Sequence, residues 1–185
     1  MHKRTLLKCL SLLAVYPAVG RSAPQSRTAV VYFSKTGSTQ SVAEAVQAMI
    51  SAELFRIETV EPYPEAYRPT TEIVKDEMQS GVKRPIKPLS IDLSKYDTVI
   101  LAGPTWWHYV PQPLKTWIET ADLRGKQVLT CNSHGGGGLM HTRDDFEAVL
   151  AGKDVKLGTH FTTYGGVMKQ SPAVAAWLRE NGLLK

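Results

Sequence analysis

Apolar residues fall into two kinds of run along this chain. Unbroken stretches such as Thr28 to Phe33 (TAVVYF) and Thr98 to Ala102 (TVILA) carry no polar alternation. That is the pattern of strands buried on both faces of a parallel sheet. Leu54 to Val60, Gln127 to Cys131 and part of Lys153 to Phe161 predict three more strands. Between them apolar residues recur at helical spacing, first at Val42, Ala43, Val46, Met49 and Ile50. Further helices are predicted over Thr70 to Gln79, capped by Thr70 or Thr71, and over Pro113 to Thr120, with Pro near the first turn. Two more cover Arg143 to Leu150, capped by Thr142, and Pro172 to Glu180. Glu61 to Pro69 is rich in Pro and Tyr and unsuited to a helix interior, and Ser80 to Ser90 reads as loop.

Strands alternating with helices predict a doubly wound α/β domain, because right-handed crossovers place helices on both faces of one sheet. In such a sheet a ligand binds beyond the carboxyl ends of the strands, near the point where strand order reverses. Three loops follow predicted strands there: Ser34 to Thr39, Gly103 to Pro111 and Asn132 to Gly138.

Charge changes the picture mainly at the N-terminus. The formal net charge is +5, but Lys3, Arg4, Lys8 and Arg21 lie in the first 23 residues, where no acid does. The remainder is nearly neutral, with 18 basic against 17 acidic residues, so a nucleic-acid partner is not expected. A basic start, an apolar stretch from Leu10 to Val19 and small residues to Ala23 make residues 1–23 an expected signal peptide. The stretch is too short for a permanent membrane span. His2 to Lys8 resembles the twin-arginine export motif, with Lys3 for the first Arg. Export by that route or by general secretion implies a periplasmic protein; a leader that stays attached and does not direct export implies a cytoplasmic one. Cleavage after Gly20 or Ala23 would leave Cys131 as the mature chain's single cysteine, with no internal disulfide.

Each loop carries unusual chemistry. Ser34, Thr36, Ser38 and Thr39 surround Gly37 at a helix start, where free N–H groups and the helix dipole favour an anion such as a phosphate monoester. Helix capping by Ser38 or Thr39 is the plainer alternative. Neither a Walker motif nor a dinucleotide fingerprint is present. Pro104, Thr105, Trp106, Trp107 and His108 form an aromatic loop suited to stacking on a flat ring. One of the two tryptophans is expected to pack under the following helix instead. His134 leads a run of four glycines, including Gly135 and Gly136, which exposes backbone to a close ligand or makes a flexible turn. A hydrolase is not expected, since no G-x-S-x-G elbow accompanies the glycines. The five histidines show no metal-ligand spacing.

Ser34, Thr36, Gly37 and Thr39 resemble the phosphate loop of flavodoxins, in the pattern T/S-x-T-G-x-T after the first strand. Gly103, Pro104, Trp106, Trp107 and Pro111 resemble a flavodoxin-like subgroup with a Trp-Trp pair, with His108 where glycine is common. The His134 to Gly138 run and the Pro62-Tyr63-Pro64 stretch are similar to the same subgroup. The resemblance implies a flavodoxin-like domain over residues 28–185, a three-layer fold with a five-stranded parallel sheet in the order 2-1-3-4-5. It also implies FMN as cofactor, with its phosphate on Ser34 to Thr39 and its ring between the other two loops. Lys35 is then expected to face solvent. The implied function is electron transfer or oxidoreductase chemistry through the flavin, with a redox protein or a small quinone-like acceptor as partner. An NAD(P)H:quinone-type reductase and a flavin-free α/β binding protein are the alternatives.

Overall fold

The computed structural model describes residues 27–185, so the signal-peptide reading of residues 1–23 lies outside the described residues. Five parallel strands form one sheet: β1 (Thr28–Tyr32), β2 (Glu53–Arg56), β3 (Thr98–Pro104), β4 (Gln127–His134) and β5 (Lys156–Tyr164). Their order is β2-β1-β3-β4-β5, as expected, and the order reverses between β1 and β3.

Alternation along each strand sorts side chains between two faces. Val30, Ile100 and Leu129 face one core, which α1 (Ser38–Ile50) and α5 (Pro172–Glu180) close with Val42, Val46, Trp177 and Leu178. Val31, Val99, Leu101 and Val128 face the other. It is closed by α2 (Tyr67–Ser80), α3 (Gln112–Thr120) and α4 (Thr142–Leu150) through Val74, Leu114, Trp117, Ile118 and Phe146. Three layers result. None of the described helices is long and apolar enough to cross a membrane.

Several element boundaries differ from the sequence expectation. β2 stops at Arg56, and the predicted stretch to Val60 leaves the sheet after Ile57. There Thr59 bridges Ile86 antiparallel, while Val60 N donates to Pro85 O and Lys87 N to Glu58 O. The Ser80 to Ser90 segment thus supplies a backbone partner as well as a connection. β4 runs three residues past Cys131, because Asn132, Ser133 and His134 pair with Thr162, Thr163 and Tyr164 on β5. Their polarity hid a strand that continues beyond the apolar core. α2 begins at Tyr67, so Pro69 lies in its first turn, where a missing N–H breaks no helical bond. Thr70 is no cap: its hydroxyl donates to Pro64 O at 2.7 Å and Ala66 O at 2.9 Å. Thr71 donates to Arg68 O, and Thr142 is the first residue of α4, after the cap residue His141.

β5 is an edge strand, and its pairing with β4 shifts register between Val128 and Thr130 of β4, opposite Gly158 and Thr159. At this irregularity α5 takes the backbone of Thr159 on both sides: its N–H donates to Asn181 Oδ1 at 2.9 Å, and its C=O accepts from Trp177 Nε1 at 3.0 Å. Gly158 sits against the same Asn181; a Cβ there would fall 2.5 Å from Oδ1.

Candidate functional site

A cavity of about 480 Å³ opens at the carboxyl end of the sheet, and all three loops line it. Such a volume is in the range of small-molecule and cofactor sites.

The first loop builds an anion site from neutral groups. Gly37 takes a positive φ of 93° and precedes α1. Its N–H donates to Ser34 Oγ at 3.2 Å, and its C=O accepts the first helical bond, from Ser41 N at 2.9 Å. The N–H groups of Ser38, Thr39 and Gln40 therefore have no acceptor within the helix. The hydroxyls of Thr36 and Ser38 border the cavity and bond to no other side chain or backbone group among the described residues. Side-chain capping is absent: Thr39 is buried, with its Oγ1 2.8 Å from Ser133 Oγ on β4. Lys35 does not simply face solvent. It lines the cavity, and its Nζ donates to Glu65 O at 2.9 Å, tying this loop to the segment before α2. Behind the loop, Arg56 of β2 donates to Ser34 O and to Gln40 Oε1, both at 3.1 Å, and brings a positive charge to the helix N-terminus.

The second loop is a tight hairpin. Trp106 N donates to Tyr109 O at 3.1 Å and Tyr109 N to Trp106 O at 3.0 Å, so Trp107 and His108 alone make the turn. Both have positive φ, 47° and 74°. A two-residue turn of this hand is what strand twist favours, and it normally uses glycine or asparagine. Non-glycine residues held there store on the order of 1–3 kcal/mol each and need external restraints. Two are visible: Trp107 Nε1 donates to Thr71 O at 3.0 Å, and Thr142 Oγ1 to His108 O at 3.2 Å. Thr142 Oγ1 is also 3.0 Å from Thr105 Oγ1. On the far side, Asp145 accepts from Val110 N and from Lys115 Nζ, each at 2.8 Å.

The two tryptophans divide their roles: Trp106 packs against the core that α3 helps to close, and Trp107 stays at the surface. Trp106 packs edge-on against Phe33 (ring centroids 5.3 Å apart) and Tyr63 (4.9 Å). Trp107 is 47% exposed. Tyr63 explains the Pro-Tyr-Pro stretch. Its hydroxyl donates to buried Glu77 at 2.6 Å, and Arg84, which also bonds Glu77, lies 4.3 Å over the ring. Burial and the Glu77 bond push the Tyr63 phenol well above its ordinary range. A fixed, neutral Tyr63 thus forms the floor beneath Trp106.

The third loop starts at Gly135, after the end of β4. His134 Nδ1 accepts from Gly136 N at 3.2 Å and Gly138 N at 3.1 Å, which folds the glycine run back over the strand end. With Nδ1 accepting, the imidazole carries its proton on Nε2. The run is therefore a braced turn.

Of the sequence-predicted site residues, Ser34, Thr36, Ser38, Thr39, Pro104, Thr105, Trp106, Trp107, His108, His134 and Gly135 line the cavity. Gly37 and Gly136 do not: the first shapes the helix start and the second donates to His134. Tyr67, Thr70, Thr71 and Val74 of α2 also line it, with Ser133, Gly137 and Gly165. Ser133 and Gly137 belong to the glycine loop already singled out, whereas nothing in the local spacing marked the α2 residues or Gly165. The one usable signal was an α2 N-terminus placed where the order of β1 and β3 reverses.

The flavodoxin family profile matches residues 27–180. No curated protein matches the sequence. Among solved structures, the chain is similar to a flavoprotein from Bacteroides eggerthii DSM 20697, at 26% identity and TM-score 0.72, over 83% of this chain and 96% of that one. A flavoprotein from Lactobacillus acidophilus NCFM, solved in complex with FMN, aligns at 20% identity and TM-score 0.67, over 74% and 93% of the two chains. Flavodoxin 2 from Bacillus cereus aligns at 16% identity and TM-score 0.55, over 85% and 98%.

Proposed function

The chain belongs to the flavodoxin family, and on that premise we propose that it binds FMN in the 480 Å³ cavity and transfers electrons through it. The observation that carries this reading is the convergence of three chemically different loops on one cavity. The donor set fits the group. Free N–H groups at the start of α1 and the hydroxyls of Thr36 and Ser38 suit a phosphate dianion, with Arg56 adding charge from behind. Trp107, half exposed and anchored through its indole N–H, offers the flat face for the ring, while Gly135 and Gly137 allow backbone to approach its edge.

FMN supplies one- and two-electron chemistry, and the protein's part is to bind it, orient it and control access. Exposed Tyr67 and Trp107 border the cavity and give a quinone-like molecule or a partner protein an apolar landing place. We also infer export to the periplasm, on the composition of residues 1–23.

Titration of purified protein with FMN tests the central point. Quenching of flavin fluorescence at one equivalent and a yellow protein are expected; FMN that stays fully fluorescent at micromolar protein overturns the reading. Stopped-flow mixing with NADPH, then a quinone, separates an enzyme from a carrier reduced by another protein.

A further inference from the structure

A line of hydrogen bonds reaches the Trp107-His108 turn from β5. His160 Nδ1 is 2.7 Å from Thr130 Oγ1, and His160 Nε2 is 2.7 Å from Asn132 Oδ1. Asn132 Nδ2 donates to Thr105 Oγ1 at 2.5 Å. Thr105 Oγ1 meets Thr142 Oγ1, which donates to His108 O. Thr130, Asn132 and Thr142 are buried.

The direction of every link is fixed by donor chemistry. Asn132 Oδ1 only accepts, so His160 donates from Nε2. A neutral imidazole then accepts at Nδ1, and Thr130 supplies that proton. Thr142 gives its proton to His108 O, so its oxygen accepts the Thr105 proton. Five bonds therefore point one way, from Thr130 to the carbonyl of His108. Burial, helped by the Arg143 charge, lowers the His160 pKa to about 4, which keeps the ring neutral near pH 7.

We propose that His160 is a positioning residue for the turn: it fixes the Asn132 amide, which sets the Thr105 and Thr142 hydroxyls that hold His108 in its left-handed conformation. The isolated turn would not keep Trp107 and His108 at positive φ, and this line supplies one of its restraints from β5, two neighbours away from the strand β3 that leads into the turn. The consequence for cofactor binding rests on the function proposed above.

Wild type, His160→Gln and His160→Leu are compared in three measurements. Long-range imidazole 15N spectra should show wild-type His160 protonated on Nε2; the Nδ1–H form reverses the chain and overturns the proposal. Hydrogen exchange of the Trp106 and Tyr109 amides, taken relative to β1 amides in cofactor-free protein, should rise about tenfold in His160→Leu, as for loss of one buried hydrogen bond. His160→Gln, whose side-chain N–H can still reach Asn132, should recover most of that protection. FMN affinity should follow the same order. Unchanged relative exchange in His160→Leu, or no recovery in His160→Gln, removes the positioning role. Should His160→Leu fail to fold, Thr130→Val serves as the breaking variant, with faster relative exchange expected and no change overturning the proposal. A wild type that takes up no FMN defeats the proposed function alone, because the tautomer and exchange results still decide the role of His160.

Discussion

The hydroxyl of Thr39, in the first turn of α1, lies 2.8 Å from that of Ser133 near the end of β4. These residues sit in two different loops of the motif reading, and both are buried. The pair locks the anion loop to the base of the glycine loop. Each single change, Thr39→Val or Ser133→Ala, should lower stability by about 1 kcal/mol, since it strands a buried partner hydroxyl. The double variant should lose less than the two together, with a coupling of about 0.5–1 kcal/mol in urea denaturation. Strict additivity would mean that the pair contributes nothing.

His108 is the second test. Its φ of 74° favours glycine, and its ring makes no hydrogen bond among the described residues. His108→Gly should raise stability by roughly 0.5–1 kcal/mol, through relief of backbone strain. For a domain of this size that is a rise of about 2 °C in Tm by calorimetry. A fall in Tm would show that the imidazole's packing beside Gly137 outweighs the strain.

Much of this was legible in the chain. Thr28 to Phe33 and Thr98 to Ala102 marked β1 and β3 within two residues, because unbroken apolar runs have few other uses. Three loops stood out by chemistry alone. What escaped depends on contacts distant in sequence. Asn132, Ser133 and His134 are polar, and only pairing with β3 and β5 makes them strand. Arg56 and Tyr67 serve the site from elements whose local pattern says nothing of where they point. The positive φ of Trp107 and His108 was foreshadowed only by glycine's frequency at the second position in the resembling subgroup.

Acid should weaken the fold through His160. Its folded pKa of about 4 lies below the ordinary 6.5, so the unfolded chain binds the proton more readily between those values. The stability this residue contributes is fully present above pH 6.5, falls as pH drops through the window, and is gone below about 4. The loss is on the order of 2–3 kcal/mol. Urea midpoints at pH 7 and pH 4.5 in wild type and His160→Gln check this; equal slopes in the two proteins would refute it.

Cys131 should be inert in the native protein. It is fully buried, and burial pushes its thiol pKa up to about 12. The thiolate is the reactive form, so alkylation at pH 8 should modify Cys131 only after denaturation. Peptide mapping after iodoacetamide treatment distinguishes native from unfolded labelling, and rapid native modification would contradict the buried placement.

The break in β5 bears on the company this molecule keeps in solution. An open sheet ends in a rim of backbone groups able to recruit a strand from another copy. Here Gly158 and Thr159 interrupt that rim midway, and Asn181 and Trp177 occupy the Thr159 amide and carbonyl. No straight nine-residue template is on offer, so the last helix guards against chain-to-chain zippering at high concentration as well as covering a core.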